Sequence, residues 1–261
     1  MPELVEVERY RTLAAGRALD RTIEGVAAPD AWYLKRGAQA DLVRDVLVGE
    51  RFVAARRRGK LLMLDVSNGV VMGLHFGMSG RLLVDGRAGV DQLLYSPAGD
   101  QIRYDRFTVA FADGGVLTVR DPRRLGGVEL EPDESRLGPD ALTATLPELR
   151  RALSGAAVAL KARLLDQSKL AGVGNLIADE VLWRAGLSPL RPAGELPAAA
   201  VKRLHGHLGS GLADLIGRGG SHTGDLMPER RPGGMCPRDG TPLVRATVGG
   251  RTTWWCPRHQ R

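Results

Sequence analysis

The sequence is short of cysteine and of long apolar runs, and each shortage excludes a class of protein. Only two of the 261 residues are cysteine, so a disulfide framework is excluded and a reducing compartment is expected. No stretch approaches the roughly 18 apolar residues that a membrane-spanning helix needs. The acidic first six residues lack the basic and then apolar order of a signal peptide. We therefore expect a cytoplasmic protein with no membrane partner.

Acidic residues are also in deficit, and the deficit is concentrated at one end. The chain has 37 Lys+Arg against 30 Asp+Glu, a net charge of +7. Residues 230–261 contain seven arginines and one acid, Asp239, which gives +6 and leaves +1 for the rest. A basic segment of this kind indicates a polyanion such as DNA or RNA, and a solubilising tail is the alternative.

The remaining pattern predicts an α+β multidomain protein. A helix at the start is followed by short strands between about residues 42 and 130, which favour a β-sandwich or barrel. Helices are expected over 149–153, 157–165, 176–185 and 198–217, then a loop over 218–235 and a basic hairpin. The expected divisions are a first domain over 1–131, a linker over 132–147, a helical domain over 148–229 and the hairpin over 230–261.

The chain start offers a nucleophile. Initiator Met is normally removed before Pro, and Pro2 would then be a free secondary amine able to form an iminium with a carbonyl-like carbon. Glu3 and Glu6 are three residues apart, which places them on one face of a helix beside that amine for proton transfer. Taken alone, the same residues are an ordinary helix start.

Three basic or glycine-rich segments adjoin predicted strands. They are Ala55-Arg56-Arg57-Arg58-Gly59-Lys60, His75-Phe76-Gly77-Met78-Ser79-Gly80 and Arg120-Asp121-Pro122-Arg123-Arg124-Leu125-Gly126. The first is a candidate phosphate cluster, or a solvated face. The second is a glycine-rich loop that exposes Met78. In the third, an apolar side chain lies next to arginines, which suits insertion into a base stack while the arginines bind phosphates. A packed turn is the alternative for both.

The segment Leu170-Ala171-Gly172-Val173-Gly174-Asn175 stands at a predicted helix start. Two glycines would let backbone N–H groups approach a phosphate, Asn175 would add a donor, and the helix N-terminus favours an anion. A structural turn without a ligand is the alternative.

The end of the chain has a metal-site spacing. Cys236-Pro-Arg-Asp239 and Cys256-Pro-Arg-His259 bracket a predicted hairpin, as in zinc ribbons, with Asp239 and His259 in place of two cysteines. We expect one structural zinc ion. A metal-free hairpin packed on Trp254 and Trp255 is the alternative.

Together and in this order, these motifs resemble the bacterial formamidopyrimidine-DNA glycosylase/endonuclease VIII family over essentially the whole chain. The resemblance implies a β-sandwich domain and a helix–two-turn–helix domain with double-stranded DNA between them, a terminal zinc hairpin, and a monomer. It implies a bifunctional enzyme that removes oxidised bases and cleaves abasic sites through a Pro2 iminium and β,δ-elimination.

The resemblance also implies residue roles. Pro2 attacks C1′, Glu3 helps to open the sugar ring with Glu6 in support, Lys60 serves phosphate binding and β-elimination, and Arg251 serves phosphate binding and δ-elimination. The remaining DNA contacts fall on His75, Met78, Tyr104, Arg123, Arg124, Leu125 and Asn175, with Met78, Arg123 and Leu125 filling the gap left by a flipped nucleotide.

Several positions depart from the family pattern. Val5 replaces a second Pro, Leu125 an aromatic residue, and Tyr104 a His. The loop 219–225 lies where a lesion-capping loop is expected but differs at His222 and Gly224. Pro2, Glu3 and Lys60 match the family, so strand cleavage is expected, and Met78 with Arg123 slightly favours oxidised purines.

Three alternatives remain at the level of sequence. One is a catalytically idle relative that binds damaged or abasic DNA. Another is the same mechanism applied to a pyrimidine or unusual lesion. The third is an N-terminal-proline enzyme of small-molecule metabolism, whose activity would be indifferent to DNA and salt.

Overall fold

The computed structural model describes residues 2–91, 93–94 and 101–261, so Met1 and its removal lie outside the described residues. Contacts divide the chain into two compact units. The first contains Pro2 and Glu6–Glu134, and the second contains Glu3–Val5 and Ser135–Arg261. The boundaries expected near residues 131, 147 and 229 stay predictions.

The first unit is a two-sheet structure with two helices. Its elements are α1 (Leu4–Arg17, whose first two residues belong to the second unit), β1 (Ile23–Ala27), α2 (Ala40–Leu47), β2 (Phe52–Arg58), β3 (Leu61–Val66), β4 (Val71–His75), β5 (Arg81–Val84), β6 (Arg87–Ala88), β7 (Asp105–Phe111), β8 (Val116–Arg120) and β9 (Gly127–Leu130). One sheet has the order β1-β7-β8-β5-β6 and the other β2-β3-β4-β9. All the pairs within these two sheets are antiparallel.

Apolar side chains from both sheets and from α1 form one core, which confirms the β-sandwich. The β3–β4 hairpin forms where the apolar runs flank Ser67-Asn68-Gly69, because Gly69 takes the positive φ that the turn needs. The β7–β8 hairpin forms around Asp113-Gly114-Gly115 in the same way. Tight turn chemistry between apolar runs therefore predicted these strands well.

Residues 40–47 do not follow the sequence expectation. Strands were expected from about residue 42, but Ala40–Leu47 forms α2. Val43 and Leu47 are buried and four residues apart, so both face the core from one side of a helix. In a segment this short, an apolar spacing of four also fits alternation, and tertiary packing decides between helix and strand.

The second unit is mainly helical. Its elements are α3 (Leu146–Leu153), α4 (Leu160–Leu165), α5 (Asn175–Ala185), α6 (Ala198–Arg218), β10 (Val244–Val248) and β11 (Arg251–Trp255). Thr145 and Glu148 form a capping box at the start of α3. Gly186 and Gly219 end α5 and α6 in the left-handed conformation. Leu4 and Val5 from the chain start join its apolar core.

The segment expected as a loop over 218–235 has internal structure. It contains short 3₁₀ turns over Ser221–Thr223 and Met227–Glu229. The carboxylate of Glu180 accepts hydrogen bonds from the backbone N–H groups of Asp225 and Leu226, at 3.0 and 2.9 Å.

Among the described residues, no helix combines the length and apolarity needed to cross a bilayer.

Candidate functional site

The carboxylate of Glu3 lies at the first turn of α5. Its Oε1 accepts a hydrogen bond from the Leu176 N–H at 2.9 Å, and its Oε2 accepts one from the Ile177 N–H at 3.0 Å. Glu3 is only 1% exposed. The first N–H groups of a helix have no partner within the helix, and the helix dipole is positive there. The chain thus supplies its own anion to the start of α5 and fixes Glu3.

The glycines before α5 make room for the chain start. A Cβ at Gly174 would lie 2.1 Å from Cδ of Glu3, and one at Gly172 would lie 2.4 Å from Cδ1 of Leu4. The Leu4 N–H also donates to the Gly172 carbonyl at 3.1 Å. The expectation that a phosphate occupies the α5 N–H groups is wrong for the two that bind Glu3. Asn175, the first residue of α5, is half-buried.

Pro2, Glu6 and Lys60 belong to the first unit. Pro2 is buried, and Glu6 is 1% exposed within α1. Glu3 precedes the first residue of α1, so the helical spacing that predicted one face for both glutamates does not apply to it. Lys60 is half-buried in the two-residue turn between β2 and β3.

The arginine run before Lys60 is largely neutralised. Arg56 forms an ion pair with Asp65 at 2.8 Å and a second with Glu134 at 3.2 Å. Arg57 is 4% exposed in its side chain and pairs with Glu8 at 2.9 Å. The expected phosphate cluster of all four cations is therefore wrong for the buried Arg57. Arg56, whose side chain is 42% exposed, has structural contacts, and its phosphate contact stays a prediction.

One buried carboxylate joins the two glycine-rich loops of the first unit. Asp121 is fully buried, and its Oδ1 accepts from the Ser79 hydroxyl at 2.5 Å and from the Arg123 N–H at 3.2 Å. Its Oδ2 accepts from the Gly126 N–H at 2.8 Å. A Cβ at Gly77 would lie 2.3 Å from the carbonyl carbon of Leu125, so the loops touch through their backbones.

This arrangement brings three predicted gap-filling residues onto adjacent loops. Met78 is half-buried, Arg123 is exposed, and Leu125 is 52% exposed. Arg124 differs from them because its guanidinium is bound to Asp30 at 2.6 and 2.7 Å. These hydrogen bonds hold the pKa of Asp30 below its usual value. Arg124 therefore has a structural contact, and its DNA contact stays a prediction.

His75 and Tyr104 are each held by charged neighbours. Nε2 of His75 lies 2.7 Å from Oε1 of Glu129, a residue that is 2% exposed. Arg36 binds the other oxygen of Glu129 at 2.6 Å. The hydroxyl of Tyr104 accepts a hydrogen bond from Arg103 at 2.8 Å. Carboxylate and guanidinium partners therefore fix the orientation of both rings.

Cys236, Asp239, Cys256 and His259 come together as a candidate metal site, with their ligand atoms all within 4.8 Å of one another. Sγ of Cys236 lies 3.5 Å from Nδ1 of His259, and Sγ of Cys256 lies 3.5 Å from Oδ2 of Asp239. Nδ1 of His259 lies 3.5 Å from Oδ2 of Asp239. The edges of a tetrahedron around zinc with such ligands measure about 3.3 to 3.8 Å. The cluster therefore fits a tetrahedral metal ion.

Neighbouring groups orient these ligands. Nε2 of His259 lies 3.2 Å from the Trp183 carbonyl, so a proton there leaves the Nδ1 lone pair facing the cluster. The indole N–H of Trp183 lies 3.4 Å from Sγ of Cys236. The Thr241 N–H holds the pKa of Asp239 below its usual value, which favours the ligating carboxylate.

Arg251 is exposed at the tip of the β10–β11 hairpin. It follows Gly249 and Gly250, whose φ angles of 56° and 70° are those of a type I′ turn. A Cβ at Gly249 would lie 3.1 Å from Cβ of Ala162, so the tip packs on α4.

Sequence reasoning missed a buried charge network that anchors this hairpin. The side chains of Lys161 and Asp179 are fully buried and pair at 2.7 Å, and Arg230 pairs with Asp179 at 2.9 Å. Lys161 also donates to the Thr253 hydroxyl at 2.7 Å. Burial lowers the pKa of Lys161, and Asp179 opposes that shift. No local sequence signal marks these residues, because each partner comes from a different element.

Two family models match this chain. The formamidopyrimidine-DNA glycosylase N-terminal domain matches residues 1–128, and the H2TH domain of the same enzyme matches residues 137–225. A formamidopyrimidine-DNA glycosylase of Paracoccus denitrificans is 35% identical, with 98% of this chain and 99% of that protein covered. One of Methylococcus capsulatus is 34% identical, with both chains covered completely.

Solved structures agree with these matches. A complex of the Lactococcus lactis enzyme with abasic-site DNA has a TM-score of 0.83 and 26% identity, with both chains fully covered. A complex of the same enzyme with DNA containing Fapy-dG has the same score and identity, covering 99% of this chain and 100% of that one. The chain belongs to the formamidopyrimidine-DNA glycosylase family.

Proposed function

We propose that this chain is a base-excision DNA glycosylase with abasic-site lyase activity, acting as a monomer on damaged duplex DNA in the bacterial cytoplasm. The observation that carries the proposal is a fixed, buried carboxylate, Glu3, directly after Pro2 in a chain that matches the family over its whole length. An amine beside a positioned carboxylate is the equipment of covalent catalysis at a sugar carbon.

Pro2 and Glu3 divide the first step between them. The Pro2 nitrogen attacks C1′ of the damaged nucleotide, the C1′–N bond breaks, and the base leaves with the electron pair. Glu3 accepts the proton that the amine releases and passes it to the ring oxygen O4′ as the C1′–O4′ bond opens, leaving a Pro2 iminium. The α5 N–H groups hold the Glu3 carboxylate in place for this transfer.

The iminium then makes strand cleavage possible. Because it withdraws electrons from C1′, loss of a C2′ proton expels the 3′ phosphate, and a second elimination expels the 5′ phosphate. Lys60 binds phosphate and serves the first elimination, and the exposed Arg251 binds phosphate and serves the second. Asn175, His75, Tyr104 and Arg124 add DNA contacts, and Glu6 supports the chain start.

The joined loops of the first unit would occupy the space of the extruded nucleotide. A base inside a duplex cannot be reached at C1′, and filling the gap offsets a few kcal/mol of lost stacking. Met78, Arg123 and Leu125 lie on loops that share Asp121, which supports this role.

Oxidised purines are the proposed lesions. Comparing base removal from duplexes with one oxidised purine or one oxidised pyrimidine tests that choice, and faster removal of the pyrimidine would contradict it.

We further propose that Cys236, Asp239, Cys256 and His259 hold one zinc ion, which supplies structural stability to the Arg251 hairpin and takes no part in the chemistry. Elemental analysis should give about one zinc per chain. Cys256→Ser should abolish the zinc and weaken DNA binding. Metal-free protein with full DNA affinity would contradict the proposal.

The principal experiment is borohydride trapping with an unmodified N-terminus. Wild type is mixed with a duplex carrying one abasic site, reduced, and examined on a denaturing gel. A covalent band mapped to Pro2 is expected, and retaining an uncleaved residue before Pro2 should abolish it, because the Pro2 nitrogen is then an amide that cannot form an iminium. Glu3→Gln should retain DNA binding but lose base removal, because an amide cannot relay the proton.

The control for Glu3→Gln checks that the variant still folds. A Gln NH₂ group facing an α5 N–H costs about 1–3 kcal/mol, so circular dichroism and duplex affinity are measured alongside activity. Tight, salt-sensitive binding by wild type without any trapped band would favour the idle DNA-binding alternative. Activity indifferent to DNA would favour the small-molecule alternative.

A further inference from the structure

Trp32 is an exposed aromatic residue beside the Leu125 loop. It lies in the 3₁₀ turn Ala31–Tyr33, and 67% of its surface is exposed. The Lys35 ammonium lies 4.4 Å from the centre of the indole ring and donates to the Trp32 carbonyl at 2.5 Å. Single exposed apolar residues are common, so Trp32 needs a second observation before it suggests a role.

That observation is the carboxylate of Asp30, which ties Trp32 to the loop. Oδ1 of Asp30 accepts the Trp32 N–H at 3.2 Å and Nη2 of Arg124 at 2.7 Å. A Cβ at Gly126 would lie 2.3 Å from the hydroxyl oxygen of Tyr33, so the turn also packs directly on the loop. The turn that carries Trp32 is therefore held against the loop that carries exposed Leu125.

The charges around Trp32 face outward with one sign. The side chains of Asp30 and Glu129 are 10% and 2% exposed, whereas those of their partners Arg124 and Arg36 are 50% and 46% exposed. In each ion pair the acid is underneath and the guanidinium faces solvent. Together with Lys35, the surface around the indole is cationic.

An exposed indole edged by cations has the chemistry of a nucleic-acid contact, because its face packs on a base or sugar while the cations meet phosphates. We propose that the Trp32 surface, defined by Trp32, Lys35, Arg36 and Arg124, binds the nucleotides that flank the position entered by Leu125. This inference rests on the proposed function, since it needs duplex DNA at the Leu125 loop.

The test compares Trp32→Ala with Leu42→Ala, which removes a 48% exposed apolar side chain from α2. The probe is a duplex with one stable abasic analogue. Trp32→Ala should weaken binding by about 5- to 100-fold, Trp32→Phe should restore most of it, and Leu42→Ala should change it less than about twofold. Lys35→Ala should reduce the slope of log affinity against log salt by about one.

Fluorescence gives a second readout. Trp183 and Trp254 are buried and Trp255 is half-buried, so acrylamide quenching reports mainly on Trp32. DNA should protect wild type from quenching and leave the Trp32→Ala signal unchanged. Unchanged affinity of Trp32→Ala, or no protection in wild type, would overturn the inference. Failure of wild type to trap an abasic site would instead refute the proposed function.

Discussion

At the scale of single residues, the position of Glu3 depends on the absence of a side chain at Gly174. A Cβ there would lie 2.1 Å from Cδ of Glu3. Gly174→Ala must therefore displace the carboxylate from the α5 N–H groups. We expect base removal under single-turnover conditions to fall by about 10²-fold, the size of a lost general acid–base contribution.

The matched control is Gly206→Ala on α6, where a Cβ meets nothing within 4 Å. It should keep full activity and raise stability by about 0.5–1 kcal/mol, because alanine favours a helix interior over glycine. Equal activity of Gly174→Ala and wild type would show that the Glu3 position does not govern catalysis.

The predictions from sequence differ most from the structure at residues whose partners are far away along the chain. The missing side chain at Gly174 was expected to make room for a phosphate. It makes room instead for Glu3, which lies 171 positions earlier in the chain. Arg57 was expected to meet DNA, but it is bound to Glu8. A motif indicates which groups are present. It does not indicate which of them the folded chain neutralises internally, because that depends on contacts between remote segments.

At the scale of elements, the buried network of Lys161, Asp179 and Arg230 fastens the last hairpin to α4 and α5. Asp179→Asn would leave two buried cations without a counter-charge, which should destabilise the fold by about 3–5 kcal/mol. Asp214→Asn is the control, because it removes a partly exposed acid while Arg184 and Arg218 keep Asp225. It should cost less than about 1 kcal/mol.

Denaturant unfolding measures the free energy of unfolding of both variants. Hydrogen exchange of β11 amides should rise in Asp179→Asn, because the Trp254 N–H lies 3.3 Å from Oδ2 of Asp179. Similar stabilities for the two variants would mean that the buried network contributes no more than a surface ion pair.

Elements with strong local signals were predictable. The β3–β4 hairpin follows from its turn residues, and α5 and α6 follow from apolar spacing that ends at Gly186 and Gly219. α2 was missed because its eight residues carry only two buried positions. The grouping of Cys236, Asp239, Cys256 and His259 into a candidate metal site was predictable, because the four side chains pair within two short segments that fix their geometry locally.

At the scale of the whole molecule, we expect the basic segment over residues 230–261 to set the salt dependence of duplex binding. Arg230 is bound by buried Asp179, whereas Arg238, Arg245, Arg251, Arg258 and Arg261 are exposed. Arg251→Ala should weaken duplex binding and reduce the slope of log affinity against log salt by about one. Arg44→Ala, which removes an exposed arginine paired with Asp41 on α2, should leave the slope unchanged.

Titrating duplex affinity between low and moderate salt gives both slopes. If Arg251→Ala kept the wild-type slope, the hairpin tip would not contact phosphate.

The second unit contains residues 3–5 as well as residues 135–261. Its parts are therefore synthesised at widely separated times. Glu3, Leu4 and Val5 are made before their partners at Gly172, Leu176 and Ile177, which follow about 170 residues later. At bacterial elongation rates that interval is roughly 10–35 s. Through that interval the Glu3 carboxylate has no α5 N–H groups to fix it, so under the proposed mechanism a new chain can act only after α5 has been made.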